Sequence, residues 1–93
     1  FFDDRQIAEN DFDAQMHQVM ANVKALLEEA GSSLDHIVKA NVILKNAGDF
    51  ARMNEIYRTY FKDGEYPART TIAADMGNPL FLLEIECIAA VAE

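Results

Sequence analysis

The chain has 93 residues, half of them apolar, enough for one globular domain and unlike the composition of a disordered segment. Its net charge of -8 argues against a nucleic-acid backbone or an anionic membrane surface as partner, since both require clustered Lys and Arg. Cys87 is the only cysteine, which rules out an internal disulfide and reads as a reducing, cytoplasmic setting, and neither a transmembrane-length run nor a signal-peptide start is present.

The sequence opens at Phe1-Phe2 without Met, which reads as an incomplete or processed chain, and residues 1–10 read as a lead-in loop. Asn10 or Asp11 can cap a helix by offering an oxygen to the free N–H groups of its first turn. Phe12, Met16, Val19, Met20, Val23, Leu26, Leu27 and Ala30 then recur at gaps of three and four, one apolar stripe on a helical period. Gly31 ends that helix as a left-handed cap, and His17, Lys24, Glu28 and Glu29 fall off the stripe into solvent.

After a short turn at Ser32–Asp35, residues 37–45 read as a strand with Val38, Ala40, Val42 and Leu44 on one face. Asn46-Ala47-Gly48 turns the chain. Asp49 caps a second helix whose stripe is Phe50, Met53, Tyr57, Tyr60 and Phe61, with Asn54 beside it. Lys62–Glu65 breaks this helix, and Tyr66-Pro67 leads into a strand over residues 68–75. The turn signal Met76-Gly77-Asn78-Pro79 joins that strand to the most apolar run of the chain, Leu80–Val91, as an antiparallel pair. The order helix, strand, helix, strand, strand predicts an α+β sandwich, a sheet with two helices packed across one face. The other face, with Glu84, Glu86 and Asn41 among Ile and Leu, suits a subunit interface or a cleft.

In the last strand, period-two geometry sends Leu83, Ile85, Cys87, Ala89 and Val91 one way and Leu82, Glu84, Glu86, Ile88 and Ala90 the other. Two carboxylates on one face need partners if buried, because an unpaired charge in apolar surroundings is costly. Arg69, on the preceding strand, is the nearest candidate in sequence. The pairing reads as a structural ion pair, or as a site that holds a small carboxylic acid beside a general base. Cys87 faces away from Glu84 and reads as a small core residue, not a nucleophile. His17 and His36 stand on separate elements and carry no assigned role. The Tyr57, Tyr60, Phe61 stripe reads as core packing.

Four stretches together resemble the Rid/YjgF family. Residues 15–39 are similar to its first helix and following strand, and Asp49-Phe50-Ala51 with Met53-Asn54 and Tyr57 to its second helix. Pro67-Ala68-Arg69-Thr70-Thr71 resembles its Pro-Ala-Arg-Ser/Thr signature, and Leu83-Glu84-Ile85-Glu86-Cys87-Ile88-Ala89 its closing Ile-Glu-Ile-Glu strand. Four motifs in the right order over roughly residues 12–91 are more specific than any one of them. The resemblance implies a chorismate-mutase-like (ferredoxin-like) α+β fold with a mixed sheet. It also implies a homotrimer with a site in each inter-subunit cleft, and cofactor- and metal-free hydrolysis of reactive 2-enamino and 2-imino acids to 2-oxo acids and ammonia. It further implies that Arg69 holds the substrate carboxylate, that Glu84 positions the attacking water, and that Thr71 and Asn54 contribute to substrate binding, Thr71 through its backbone. Family members begin with a β-hairpin bearing Gly-Pro-Tyr-Ser-Gln-like and Ser-Gly-Gln-like stretches. Neither occurs here, so residues 1–93 read as a single domain of this type without that hairpin. The alternative is a non-catalytic trimeric module that binds small carboxylates in the same cleft. A ribonuclease role, a label sometimes attached to the family, fares worst against the acidic charge.

Overall fold

The computed structural model describes residues 11–75, 77 and 80–91. The lead-in over residues 1–10 and three of the four turn residues, Met76, Asn78 and Pro79, lie outside that set. Helix α1 spans Phe12–Glu29, strand β1 Ile37–Leu44, helix α2 Phe50–Arg58, strand β2 Ala68–Ala73 and strand β3 Leu83–Ala89. Single 3-10 turns at Leu34–His36 and Ala47–Asp49 precede β1 and α2. No helix among the described residues is long and apolar enough to cross a membrane.

The ends of α1 follow the sequence. Asp11 is the cap, its Oδ1 accepting from the Ala14 N–H at 3.0 Å. Gly31 takes φ +85°, and the Ser32 N–H returns to the Leu27 carbonyl at 2.7 Å, closing the helix in the manner that only glycine permits cheaply. The stripe buries Met16, Met20 and Val23 but fades beyond them, with Leu26 exposed. Asp49 occupies the cap position of α2 without a side-chain hydrogen bond to the helix. From α2, Met53, Ile56 and Tyr57 enter the core, whereas Phe50 is largely exposed.

Both helices cover one face of the sheet, where Ala40, Val42, Leu44 and Leu83 are buried against Met16, Met20, Met53 and Tyr57. A bulge between Ile37 and Lys39 offsets the alternation at the start of β1, so Val38 is exposed rather than aligned with Ala40.

The strand order corrects the expected antiparallel pairing of the last two strands. Among the described residues the order is β2-β1-β3, with β2 parallel to β1 and β3 antiparallel to it. Helix α2 is the crossover that a parallel β1–β2 pair requires. Among the described residues β2 and β3 are therefore the two edge strands, one on either side of β1. Its residues alternate between half-buried and exposed, with the fully buried Leu82 and Leu83 at its start. A buried amide that the sequence did not single out fixes that entry. Gln15, 2% exposed, donates from Nε2 to the Leu80 carbonyl and accepts from the Leu82 N–H at Oε1, both at 2.9 Å.

Candidate functional site

Arg69 is the second residue of β2, in register with the buried Ala40 of β1, so its side chain leaves the sheet on the helix side. There it meets one face of α2. Its Nη1 donates to Asn54 Oδ1 at 2.8 Å and lies 3.9 Å from Met53 Sδ. Its guanidinium carbon stands 5.1 Å from the Tyr57 ring centroid and 5.7 Å from that of Phe50. Two aromatic faces and a neutral amide thus orient the cation. Among the described residues no carboxylate lies within ion-pair distance of it. The structural pair between Arg69 and Glu84 or Glu86, one of the two readings of these residues, is absent from the chain.

The guanidinium opens onto a cavity of about 340 Å³ lined by Asn54, Tyr57, Arg58, Tyr66, Pro67 and Arg69. The Tyr57 hydroxyl, on that lining, is buried without a hydrogen-bond partner, and so is the Thr71 hydroxyl further along β2. Burial pushes the Tyr57 phenol above its ordinary value, and the nearby Arg69 charge opposes that rise. Thr71 follows Arg69 by two residues and shares its side of β2.

The structure therefore brings together two of the four expected site residues, Arg69 and Asn54, and places Thr71 two residues along β2 from Arg69 on the same side of the strand, off the cavity lining. It does not bring Glu84 to them. Glu84 is in register with Ile43, which alternates with the buried Val42 and Leu44 and so points to the uncovered face of the sheet. Glu84 is exposed there with Glu86, on the side opposite Arg69. Within one chain the two cannot touch a single small acid.

The other candidates sit as follows. Cys87 is half-buried on the helix side, packed against the core, and burial raises its thiol above the ordinary value, which disfavours the nucleophilic thiolate. His17 Nδ1 pairs with the Tyr60 hydroxyl at 2.6 Å, and His36 Nδ1 with the Ser33 hydroxyl at 3.1 Å, neither in the cavity. Tyr57, Arg58 and Tyr66 line the cavity without having been singled out for it. The signal was present in the sequence, because Tyr57 and Arg58 follow Asn54 by three and four residues and so share its side of the helix.

What this arrangement can do is grip a planar anion. One of the five guanidinium N–H donors is engaged by Asn54, and the fork matches a carboxylate.

A family model described as endoribonuclease L-PSP matches residues 2–91. A RutC family protein of Pyrococcus abyssi is 43% identical over 84 residues, a match that covers 90% of this chain and 65% of that protein. The chain thus spans just under two thirds of that relative's length. Among solved structures, YyfA of the conserved Rid protein family from Yersinia pestis superposes with a TM-score of 0.84 at 39% identity, covering 90% of this chain and 67% of that one. RidA from the Antarctic bacterium Psychrobacter sp. PAMC 21119 gives a TM-score of 0.81 at 38% identity, covering 88% and 66%. The shared architecture is the chorismate-mutase-like α+β fold. With a family model spanning nearly the whole chain and neighbours of this likeness, the protein belongs to the Rid/YjgF family.

Proposed function

We propose that this chain, as a homotrimer, hydrolyses reactive 2-imino and 2-enamino acids to 2-oxo acids and ammonia. The observation that carries the reading is the Arg69 guanidinium, held by Asn54 and two aromatic rings at an open cavity, with no carboxylate among the described residues within ion-pair distance of it. Such a group binds the carboxylate that every substrate of this class carries. Water then adds to the imine carbon, the carbon–nitrogen bond breaks, ammonia leaves, and the oxygen of water becomes the carbonyl oxygen. The proton that water loses is returned to the departing nitrogen, a shuttle within the reach of one carboxylate.

Glu84 is assigned that role, with the placement it has. Because it lies on the uncovered sheet face, the reaction requires a boundary between copies, where the open face of one protomer meets the Arg69 side of another. The exposed Ile72 and the half-buried Ile43 on that open face are consistent with its burial in an assembly. The net charge of -8 disfavours RNA as the substrate. Ammonia and 2-oxo acid release from freshly generated 2-iminopropionate tests the reading. Arg69→Ala is expected to slow it by roughly two orders of magnitude, the scale of losing a bidentate charged contact, and equal rates in the two proteins would overturn it.

A non-catalytic carboxylate-binding module is the second reading, favoured by the separation of Glu84 from Arg69 within the chain. Calorimetric binding of 2-oxobutyrate without turnover of the imine supports it, and the absence of binding eliminates it.

A further inference from the structure

The cavity carries a second cation that the resemblance does not assign. Arg58 is the last residue of α2, one turn beyond Asn54 on the same side of the helix, and it lines the same cavity as Arg69. Among the described residues these two arginines are the only charged side chains on that lining. In a chain of net charge -8, a small concavity whose charged groups are both cationic is a local reversal of sign.

Arg58 is positioned but not neutralised. Its guanidinium carbon stands 5.2 Å from the Tyr66 ring centroid, and its Nε donates to the Tyr66 hydroxyl at 3.4 Å. Among the described residues its one acidic neighbour is Asp63, whose Oδ1 is 4.0 Å from Nη2, the outer limit of an ion pair. The Asp63 side chain is 97% exposed, and the same Oδ1 already accepts from the Tyr66 hydroxyl at 3.0 Å. An exposed pair at that distance contributes little, so Arg58 can exchange Asp63 for a ligand anion at small cost.

We infer that the cavity takes a dicarboxylic substrate, a 2-imino acid of four or five carbons that bears a second carboxylate. The carboxylate next to the imine carbon sits on Arg69 and Asn54, and the distal carboxylate sits on Arg58 above the Tyr66 ring. The spacing fits: Asn54 and Arg58 stand four residues apart on the helix, about 6 Å along its axis, and a five-carbon diacid, with roughly 5 Å between its carboxylate carbons and a C–O bond beyond each, reaches across that span. The inference rests on the reading of Arg69 as the carboxylate-holding group and adds the class of acid that the site prefers.

The test compares two acids of equal chain length, 2-oxoglutarate with two carboxylates and 2-oxovalerate with one, by calorimetry on the wild-type protein, Arg58→Gln and Arg69→Met. The wild type is expected to bind the diacid at least about ten-fold tighter, the scale of one charge-assisted hydrogen bond. In Arg58→Gln the ratio of the two affinities is expected to fall close to one. Equal binding of both acids by the wild type overturns the inference, as does a diacid preference that survives in Arg58→Gln. Binding of 2-oxovalerate that is lost in Arg69→Met but shows no diacid preference leaves Arg69 its role and removes only that of Arg58. Binding of neither acid removes both.

Discussion

At the scale of single residues, the site is set by what Arg69 lacks as much as by what it touches. An arginine facing a helix packed on a sheet would ordinarily be matched by a carboxylate. Here an amide and two rings hold it, and its charge stays available. Next to it, the Tyr57 hydroxyl is buried without a partner. Removing such a group forfeits no hydrogen bond, so Tyr57→Phe is expected to leave unfolding free energy within about 1 kcal/mol of wild type. Met53→Ala, on the same helix face and fully buried, is expected to cost about 2–5 kcal/mol through the cavity it opens. Urea denaturation of the two variants checks both, and a Tyr57→Phe loss as large as that of Met53→Ala would mean that the hydroxyl has a partner. The meeting of Arg69 with Asn54 was legible because each stands in a motif. The opposed placement of Arg69 and Glu84 was not, because alternation fixes faces within a strand but relates two strands only once their common neighbour and register are known.

At the scale of elements, the ends of α1 were legible nearly to the residue, since a helical stripe and its caps are local signals: Asp11 and Gly31 act as their types predict, whereas α2 stops at Arg58 and leaves Tyr60 and Phe61 of its expected stripe beyond the helix. The strand order was not local. Leu80–Val91, the most apolar run, reads as the antiparallel partner of the 68–75 strand, yet β1 lies between the two and β3 is an edge among the described residues, with Leu82 and Leu83 buried at its entry. Between the helices, Arg52 of α2 donates from Nε and Nη2 to the two oxygens of Asp13 on α1, at 2.8 and 2.6 Å, and from Nη1 to Glu55 at 2.8 Å. The hydrogen bonds from Arg52 hold the Asp13 carboxyl below its ordinary value of 3.8. A carboxyl depressed in the folded state contributes its stability above the unfolded value and loses it as pH falls through the folded one. Asp13→Asn is therefore expected to be less stable than wild type at neutral pH, by a modest margin because the pair is half-exposed, and to converge on wild type as pH drops below 3.8. Thermal melts across that range measure it, and a difference that does not narrow would contradict the role of the ion pair.

At the scale of the whole molecule, two helices cover one face of the sheet, and no element among the described residues covers the other. Ile72 and Ile88 are 51% and 67% exposed on that other face, beside Glu84, Glu86 and Thr70. A domain of 93 residues buries a modest core, and association is the ordinary supplement. A charge placed there should oppose association without touching the core. On the proposed homotrimer, Ile88→Asp is expected to lower the sedimentation coefficient towards that of a monomer, with its helical circular dichroism retained. A variant that still sediments as the wild type does would place the assembly surface elsewhere. Under the proposed function, loss of the assembly would also separate Glu84 from the Arg69 cavity of a neighbouring copy, so the proposed hydrolysis is expected to fall with it while binding of a simple 2-oxo acid persists.

The role of Arg69 is open to direct measurement by titrating 2-oxobutyrate into wild-type protein and into Arg69→Met, followed calorimetrically at fixed pH and salt. Wild-type binding that weakens by roughly 10- to 100-fold in the variant, the effect of losing a charge-assisted carboxylate contact, is the predicted result. Equal affinity in the two proteins would contradict it.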